Sequence, residues 1–166
     1  MSGAAGGAEA AGGPAATGGS TPADPGCLFC AIVAGDAPAS LVHADDDVVA
    51  FLDAVPVNTG HVLVVPRRHA VGLVDLPVPA GEAVWRAAHR IAAVMRADPA
   101  WSEGVNLHLS DGEAAGQRVG HVHLHVIPRR RDDGLRIVED NAPARPSRAE
   151  LDSVAASLVR ALRSEP

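Results

Sequence analysis

The sequence contains no lysine and no tyrosine, and only four of its 166 residues are aromatic: Phe29, Phe51, Trp85 and Trp101. Its hydrophobic core must therefore consist mainly of Val, Leu, Ile and Ala. All 14 basic residues are arginines, and the formal net charge is -6. A net negative charge argues against a surface that wraps nucleic acid. No apolar run is long enough to span a bilayer, because Arg, Asp, His or Pro interrupts each one.

Large apolar side chains are also missing from the start of the chain. Residues 1–25 are nearly all Gly, Ala, Ser, Thr and Pro, and such a segment cannot bury enough apolar surface to offset its ordering entropy. We predict a disordered tail over residues 1–25 and a single domain over residues 26–166. The tail lacks the basic start and leucine-rich segment of a secretory signal. We therefore expect a cytoplasmic protein with no membrane partner and no nucleic-acid partner.

The hydrophobic pattern predicts an α+β fold with an antiparallel sheet of about five strands. The strand-like segments are residues 40–43, 48–53, 61–65, 105–109 and 121–127. Apolar residues at helical spacing predict one long helix over residues 79–97, and a shorter helix is expected over residues 27–33, ended by Gly35. Ser147 and Glu150 have the spacing of a capping box, which predicts a helix at the C-terminal end.

Three histidines alternate with apolar residues in the last of these strand-like segments. Because successive side chains of a strand point to opposite faces, His121, His123 and His125 are expected on one face. Such a row can arise by chance on a solvent-facing strand, or it can bind zinc through all three imidazoles. No nearby carboxylate completes the pattern of a zinc hydrolase. The polar, glycine-rich loop of residues 110–120 before the segment favours a catalytic role instead.

Several separated motifs carry a resemblance to a known family. They are Phe51–Pro56, Gly60–Pro66 and Gly112–Arg129, preceded by the leader Cys27–Asp36. In this order they resemble the signature of histidine triad (HIT) proteins, and the leader is similar to that of the bacterial Hint-like branch. The resemblance covers roughly residues 27–130. It implies a HIT-like fold and a nucleotide hydrolase or nucleotidyl transferase.

The resemblance implies roles for four histidines. His123 would attack the α-phosphorus of a nucleotide, and a neutral imidazole is nucleophilic near pH 7 without a strong base. His125 would contact the phosphate and help to protonate the leaving group. His121 and His61 would complete the catalytic group, with His61 in a proton relay. An ordinary hydrogen-bonded histidine at the end of a strand is an equally good interpretation of His61.

The substrate-binding residues implied by the resemblance are Asp53, Ser110, Gln117 and Arg118. Asp53 matches the position that holds the ribose hydroxyls, and Gln117 would help to bind the phosphate. Relatives often have Asn in place of Ser110, and Ser or Thr in place of Arg118. Arg118 adds a permanent positive charge with five donors. Either it points away from the site or it favours a more anionic leaving group, and the sequence leaves both interpretations open.

The cysteine pair Cys27 and Cys30 has the spacing of metal ligands, although two further ligands are needed. The resemblance supplies them as His69 and His121, which together would form a closed, structural zinc site. Two reduced cysteines without a metal are the alternative, and no organic cofactor is expected. The remaining histidines are assigned no role: His43, His89 and His108.

The first expected activity is that of a purine nucleoside phosphoramidase. The second is hydrolysis or phosphorolysis of dinucleoside polyphosphates, as in the Fhit-like branch, and the cysteine leader and short chain favour the first. A third hypothesis, from another class, is a non-catalytic nucleotide-binding or partner-binding module. Retention of all three histidines argues against it. The resemblance also implies a homodimer formed through the long helix and a strand.

Overall fold

A computed structural model of the chain describes residues 24–135 and 146–163. The predicted disordered tail lies outside these residues, except for its last two positions. There Asp24 begins a turn in which its backbone oxygen accepts a hydrogen bond from Cys27 N at 3.0 Å. Within the described ranges, no helix is long and apolar enough to cross a membrane.

The fold is the expected α+β arrangement with a five-stranded antiparallel sheet. The strands are β1 (Leu41–Ala44), β2 (Val48–Leu52), β3 (Val62–Pro66), β4 (Gly104–His108) and β5 (Leu124–Arg129). They lie in the order β1-β2-β3-β5-β4. The helices are α1 (Leu28–Ala34), α2 (Val78–Ala97) and α3 (Arg148–Arg163), with short 3₁₀ turns at Leu73–Asp75 and Glu113–Ala115. The sheet, the long helix and the C-terminal helix are thus confirmed.

The central strands are buried on both faces of the sheet, which explains why their sequences consist of valine runs rather than alternating patterns. On one face, Val64 of β3 and Val126 of β5 pack against Ala88 of α2. On the opposite face, Val65 of β3 packs in a second cluster with Phe29 of α1. The sheet therefore separates a core under α2 from a core under the cysteine leader.

The short leader helix ends where the sequence predicts. Gly35 has a φ of 85°, in the left-handed region that favours glycine, and its N–H donates to Ile32 O at 3.1 Å. Phe29 and Cys30 are the buried residues of this helix. A helix of only seven residues is marginal alone, so its position depends on this packing against the sheet.

The predicted limits of the last strand are wrong at both ends. The expectation was residues 121–127, whereas β5 spans Leu124–Arg129. Before Leu124 the backbone leaves the sheet, because Val122 N donates to Ala70 O at 2.8 Å instead of to a strand partner. At the other end the strand continues through Pro128, which pairs with Val105 of β4. On the other side, β3 does not reach this point, because its first residue, Val62, pairs with Val126, so the missing N–H of the proline interrupts no hydrogen bond with β3.

The C-terminal helix begins with the predicted capping box. Ser147 N donates to Glu150 Oε2 at 2.7 Å, and Glu150 N donates to Ser147 Oγ at 3.3 Å. The described residues fall into two compact units that divide between Asp133 and Gly134, and α3 belongs to the second. The side chains of α3 are exposed.

Replacing Val64 with Ala tests the core under α2. Val64 is fully buried, so losing two methyl groups should lower the free energy of unfolding by about 2 kcal/mol. Urea denaturation followed by circular dichroism measures this change. Val74→Ala is the matched control because Val74 is 94% exposed, and its stability should match that of the unmodified protein. Equal stabilities for the two variants would contradict the assigned core.

Candidate active site and metal centre

The tautomer of His123 is fixed by the backbone. Its Nδ1 lies 2.7 Å from the carbonyl oxygen of His121. A carbonyl oxygen can only accept, so Nδ1 carries the proton and Nε2 presents a lone pair. Nε2 makes no hydrogen bond within the part of the chain that the structure describes. The side chain is only 6% exposed and lies on the wall of an open cleft.

A second imidazole pair lies beside His123. The ring centroids of His123 and His125 are 4.9 Å apart, and His125 Nδ1 lies 2.8 Å from His61 Nε2. The other nitrogen of His61, Nδ1, lies 3.4 Å from Asp53 Oδ2. Because His61 uses a different ring nitrogen toward each neighbour, the three side chains form a chain along which a proton can move. One ligand atom from each of Asp53, His61 and His125 also lies within 4.8 Å of the others.

Burial makes the charged forms of these imidazoles unfavourable. Burial first, and then the neighbouring imidazoles, lower the pKa of His125 from 6.5 to about 4. Burial also lowers the pKa of His61, an effect that the Asp53 carboxylate opposes. The pair is therefore neutral near pH 7 in the absence of a ligand, which keeps positive charge away from the His123 lone pair.

The cleft has a volume of about 1070 Å³, which is large enough for a nucleotide. The predicted site residues that line it are Asp53, His61, Ser110, Arg118, His123 and His125. Apolar side chains, including Phe29, Phe51 and Ile127, line other parts of its wall. Asp53 and Arg118 are the two permanently charged groups among the described residues that line the cleft.

Gln117, which the sequence assigned to the phosphate, is occupied elsewhere in the structure. Its Nε2 donates to Val71 O at 2.6 Å and to Val119 O at 3.0 Å, and its Oε1 accepts from Gly112 N at 2.7 Å. It is not among the described residues that line the cleft. Its side chain therefore holds the glycine-rich loop in shape.

The three histidines lie on the leader side of the sheet, whereas Leu124 and Val126 lie in the core under α2. His121 differs from the other two because it is fully buried and lies outside the strand ladder. Its Nδ1 lies 3.5 Å from Cys27 Sγ and 3.6 Å from Cys30 Sγ. It therefore lies with the cysteine leader, whereas His123 and His125 line the cleft.

The sequence also missed one residue of the cleft, His108, which was assigned no role. It pairs with His125 across β4 and β5, and the centroids of the two rings are 5.7 Å apart. Its Nε2 lies 3.0 Å from Ser110 Oγ. The two-residue spacing of His108 and Ser110 places both side chains on one face of an extended segment. The register that brings them beside His125 is not visible in the sequence.

The four predicted metal ligands come together in the structure. One ligand atom from each of Cys27, Cys30, His69 and His121 lies within 4.8 Å of the others. The Cys30 Sγ to His69 Nδ1 distance is 3.2 Å. In a tetrahedral zinc site, sulfur and nitrogen ligands lie about 3.5 Å apart, so the spacing of this cluster fits the ion.

The outer environment of the cluster fits a metal as well. His121 Nε2 lies 2.9 Å from Pro66 O, so that nitrogen carries the proton and Nδ1 keeps its lone pair toward the thiols. Phe29 lies between the cluster and the cleft. Its ring centroid is 6.0 Å from that of His121 and 5.2 Å from that of His123. The leader thus contacts both groups of histidines.

The HIT domain model matches residues 34–132 of the chain, and the protein belongs to the HIT domain family. It is 42% identical over 113 residues to an uncharacterised HIT-like protein of Mycobacterium tuberculosis, which covers 68% of this chain and 78% of that relative. It is 33% identical over 138 residues to adenylylsulfatase HINT3 of Arabidopsis thaliana, which covers 82% and 68%, respectively.

Solved structures show the same similarity. A HIT family protein from Bacillus anthracis has a TM-score of 0.75 at 32% identity, covering 82% of this chain and 97% of that chain. A zinc-bound histidine triad family protein from Mycobacterium smegmatis has a TM-score of 0.65 at 38% identity, with coverage of 82% and 97%. The fold and family expected from the motifs are therefore confirmed.

Replacing His125 with Gln should weaken the dependence of stability on pH. The folded pKa of about 4 lies below the ordinary 6.5, so the unfolded chain binds more protons between these values. Stability should therefore fall as the pH falls through this window. Urea unfolding at about pH 7 and about pH 5 should show a smaller loss for His125→Gln than for the unmodified protein. His89→Gln, a change on the exposed face of α2, should keep the full loss; a full loss in His125→Gln as well would contradict the assignment.

Proposed function

We propose that this protein is a nucleotide hydrolase that breaks a bond at the α-phosphorus through a covalent intermediate on His123. The observation that carries the proposal is the fixed tautomer of His123, whose unprotonated Nε2 belongs to a side chain on the wall of a nucleotide-sized cleft. Similarity to a plant protein named as an adenylylsulfatase supports chemistry at a nucleotide phosphate.

The reaction has two displacement steps. In the first, the Nε2 lone pair of His123 forms a bond to phosphorus, and the bond to the leaving group breaks with its electron pair. The positive charge that develops on the imidazole is stabilised because Nδ1–H donates to the His121 carbonyl oxygen. In the second step, water attacks phosphorus, the P–N bond breaks, and the nucleoside monophosphate is released.

His125 and His61, beside the proposed nucleophile, carry out the proton transfers. His125 is adjacent to His123 and is linked to His61 and then to Asp53. We assign to His125 the transfer of protons to the leaving group and from the attacking water, with His61 as its relay partner. An anionic phosphate beside His125 would favour its protonated form, so this imidazole can take up a proton when substrate binds.

The rest of the cleft fits a nucleoside. Asp53 Oδ1 accepts from Val55 N at 2.9 Å, and a carboxylate oxygen retains capacity for a ribose hydroxyl. Phe29 and Phe51 offer aromatic surface for a base. We assign the ribose to Asp53 and the base to the apolar wall. A purine preference and pairing of two copies through the long helix and a strand remain predictions from the resemblance. A cytoplasmic location remains a prediction from the sequence.

Two kinds of leaving group are compatible with attack by His123. A phosphoramidate loses an amine, and this was the first expectation from the sequence. A dinucleoside polyphosphate loses a nucleotide, which was the second. The geometry of the His123 imidazole alone does not distinguish a nitrogen leaving atom from an oxygen one. Conversely, an unprotonated, buried imidazole on the cleft wall argues against the non-catalytic binding module.

We also propose that Cys27, Cys30, His69 and His121 hold a structural zinc ion. Two thiols and two imidazoles fill a tetrahedral shell and leave no open position for catalysis. When bound, the ion would cross-link the leader to the segment that carries His123. The protein itself also holds these histidines in position, because Pro66 O orients His121 and Phe29 packs against the neighbouring His123.

Metal analysis tests this site directly. Protein purified from zinc-supplemented cells without chelators should contain about one zinc per chain by elemental mass spectrometry. Cys30→Ser and His69→Gln should lose the metal and unfold at a lower temperature, because binding to a preformed site stabilises the folded state. His89→Gln should retain both zinc and stability. Absence of zinc from the unmodified protein, or full zinc content in both ligand variants, would contradict the assignment.

Hydrolysis assays with His123→Ala test the proposed nucleophile. An AMP phosphoramidate and diadenosine tetraphosphate are assayed in parallel for release of AMP. Loss of the nucleophile should lower kcat by roughly 10³-fold or more on whichever substrate is cleaved. His89→Ala, on the exposed face of α2, should retain full activity. Turnover that survives in His123→Ala, with the same rate as the unmodified protein, would overturn the proposed function.

A further inference from the structure

One loop carries both outer members of the proton chain. Residues 53–61 join β2 to β3, with Asp53 at the first position and His61 at the last. The backbone closes the base of this loop, because Asp53 N donates to His61 O at 2.9 Å. The position of the loop between these two residues therefore determines what faces the His61 imidazole.

His61 Nδ1 has two neighbours of opposite kind in this loop. The carboxylate oxygen Asp53 Oδ2, an acceptor, lies 3.4 Å away, and the backbone N–H of Val57, a donor, also lies at 3.4 Å. A proton on Nδ1 faces the carboxylate, whereas a lone pair on Nδ1 faces the backbone N–H. Both neutral tautomers of His61 therefore have a partner, as a residue that exchanges protons between its two ring nitrogens requires.

Apolar contacts contribute little to the position of this loop. The side chain of Val55 is 83% exposed, and that of Val57 is 51% exposed. Burial of apolar area stabilises a segment roughly in proportion to the area removed from water, and these two side chains remove little. The loop therefore depends on polar contacts to keep Val57 N–H beside His61.

Asn58 provides these polar contacts. Its Nδ2 donates to Pro128 O and to Asp133 Oδ2, both at 2.9 Å, and its backbone oxygen accepts from His61 N at 3.0 Å. Within the described ranges, no other hydrogen bond joins residues 54–60 to a residue outside the loop. The Asn58 side chain therefore anchors the loop to the end of β5.

The acceptor that Asn58 uses is itself held in place. Asp133 accepts from Arg129 Nε at 2.6 Å and from Arg129 Nη2 at 2.8 Å, and such bidentate pairs fix orientation as well as distance. Arg129 Nη1 also donates to Asn106 Oδ1 of β4. The Asp133 side chain is only 10% exposed. Asn58 is thus connected to β4 and to β5, the strand that carries His125.

Asn58 does not touch the proposed substrate site. It is not among the described residues that line the nucleotide-sized cleft. Instead it lines a separate, smaller cavity of about 180 Å³ with Trp101 and Arg130. Any effect of Asn58 on the reaction therefore has to pass through the loop and His61.

We propose that Asn58 is a positioning residue for proton transfer, which anchors the loop so that His61 has a hydrogen-bonding partner in either tautomer. The inference rests on the proposed attack by His123 and on the proton transfer assigned to His125. It concerns the leaving group, because an aliphatic amine has to take up a proton as its P–N bond breaks. A p-nitrophenolate takes the electron pair of its P–O bond and needs no proton.

Single-turnover rates on these two leaving groups test the role of Asn58. With protein in excess, release of the leaving group is followed for the butylamide of AMP and for the p-nitrophenyl ester of AMP. Asn58→Asp keeps the size of the side chain but places a carboxylate against Asp133. It should lower the rate at least about tenfold on the amide and less than about threefold on the ester. Asn58→Ala should show the same difference between the substrates.

Thr59→Ala is the matched control. Thr59 is the exposed neighbour of Asn58, and its side chain makes no hydrogen bond within the described part of the chain. This variant should match the unmodified protein on both substrates. Equal losses on the amide and the ester in the Asn58 variants, or no loss on either, would overturn the inference.

A spectroscopic measurement tests the same role without turnover. In isotope-labelled unmodified protein, the nitrogen chemical shifts of the His61 ring should lie between those of the two neutral tautomers. In Asn58→Ala they should move toward those of a single tautomer, and unchanged shifts would overturn the inference. Failure of the unmodified protein to release either leaving group would instead contradict the proposed nucleotide hydrolase.

Discussion

The hydrogen bond from His123 Nδ1 to the carbonyl oxygen of His121 is the interaction on which the rest of the site depends. It is 2.7 Å long and buried, and it determines which nitrogen of His123 keeps a lone pair. The same residue that provides the carbonyl oxygen directs its own imidazole toward the two thiols. His121 thus contacts the proposed nucleophile through its backbone and the candidate metal centre through its side chain.

This connection requires the segment before β5 to leave the sheet. Val122 N donates to Ala70 O, which anchors the segment near His69, another member of the cysteine–histidine cluster. On the opposite side, Phe29 packs its ring against both His121 and His123. The leader, the cysteine–histidine cluster and the proposed nucleophile therefore pack together against the buried face of β2 and β3. Rigid support of this kind is what an in-line attack on phosphorus needs.

Local signals in the sequence were sufficient for much of the fold. The valine-rich runs of β2 and β3, the helical spacing of α2 and the Ser147 capping box each depend on neighbouring residues, and each was confirmed. The limits of β5 depend on where its partner strands β3 and β4 begin and end, and neighbouring residues in the sequence do not indicate these positions. The alternating histidines suggested a longer strand, although His121 lies outside the ladder.

The site shows the same division between local and long-range information. The ligand spacing of Cys27 and Cys30 is local, but their meeting with His69 and His121 was inferred from resemblance and is shown by the geometry. His108 was missed because only the β4–β5 register brings it beside His125. Gln117 was assigned to the phosphate from the resemblance. The sequence could not show that its amide donates to the backbone oxygen of Val71.

The covalent intermediate is the central claim, and trapping it is the most direct measurement. Turnover of an AMP derivative is stopped with denaturant at neutral or alkaline pH, and the digested protein is mapped by mass spectrometry. The account predicts one AMP on His123, attached through the imidazole, in the unmodified protein. An AMP adduct on another residue would contradict it, as would ongoing hydrolysis in which His123 is never modified.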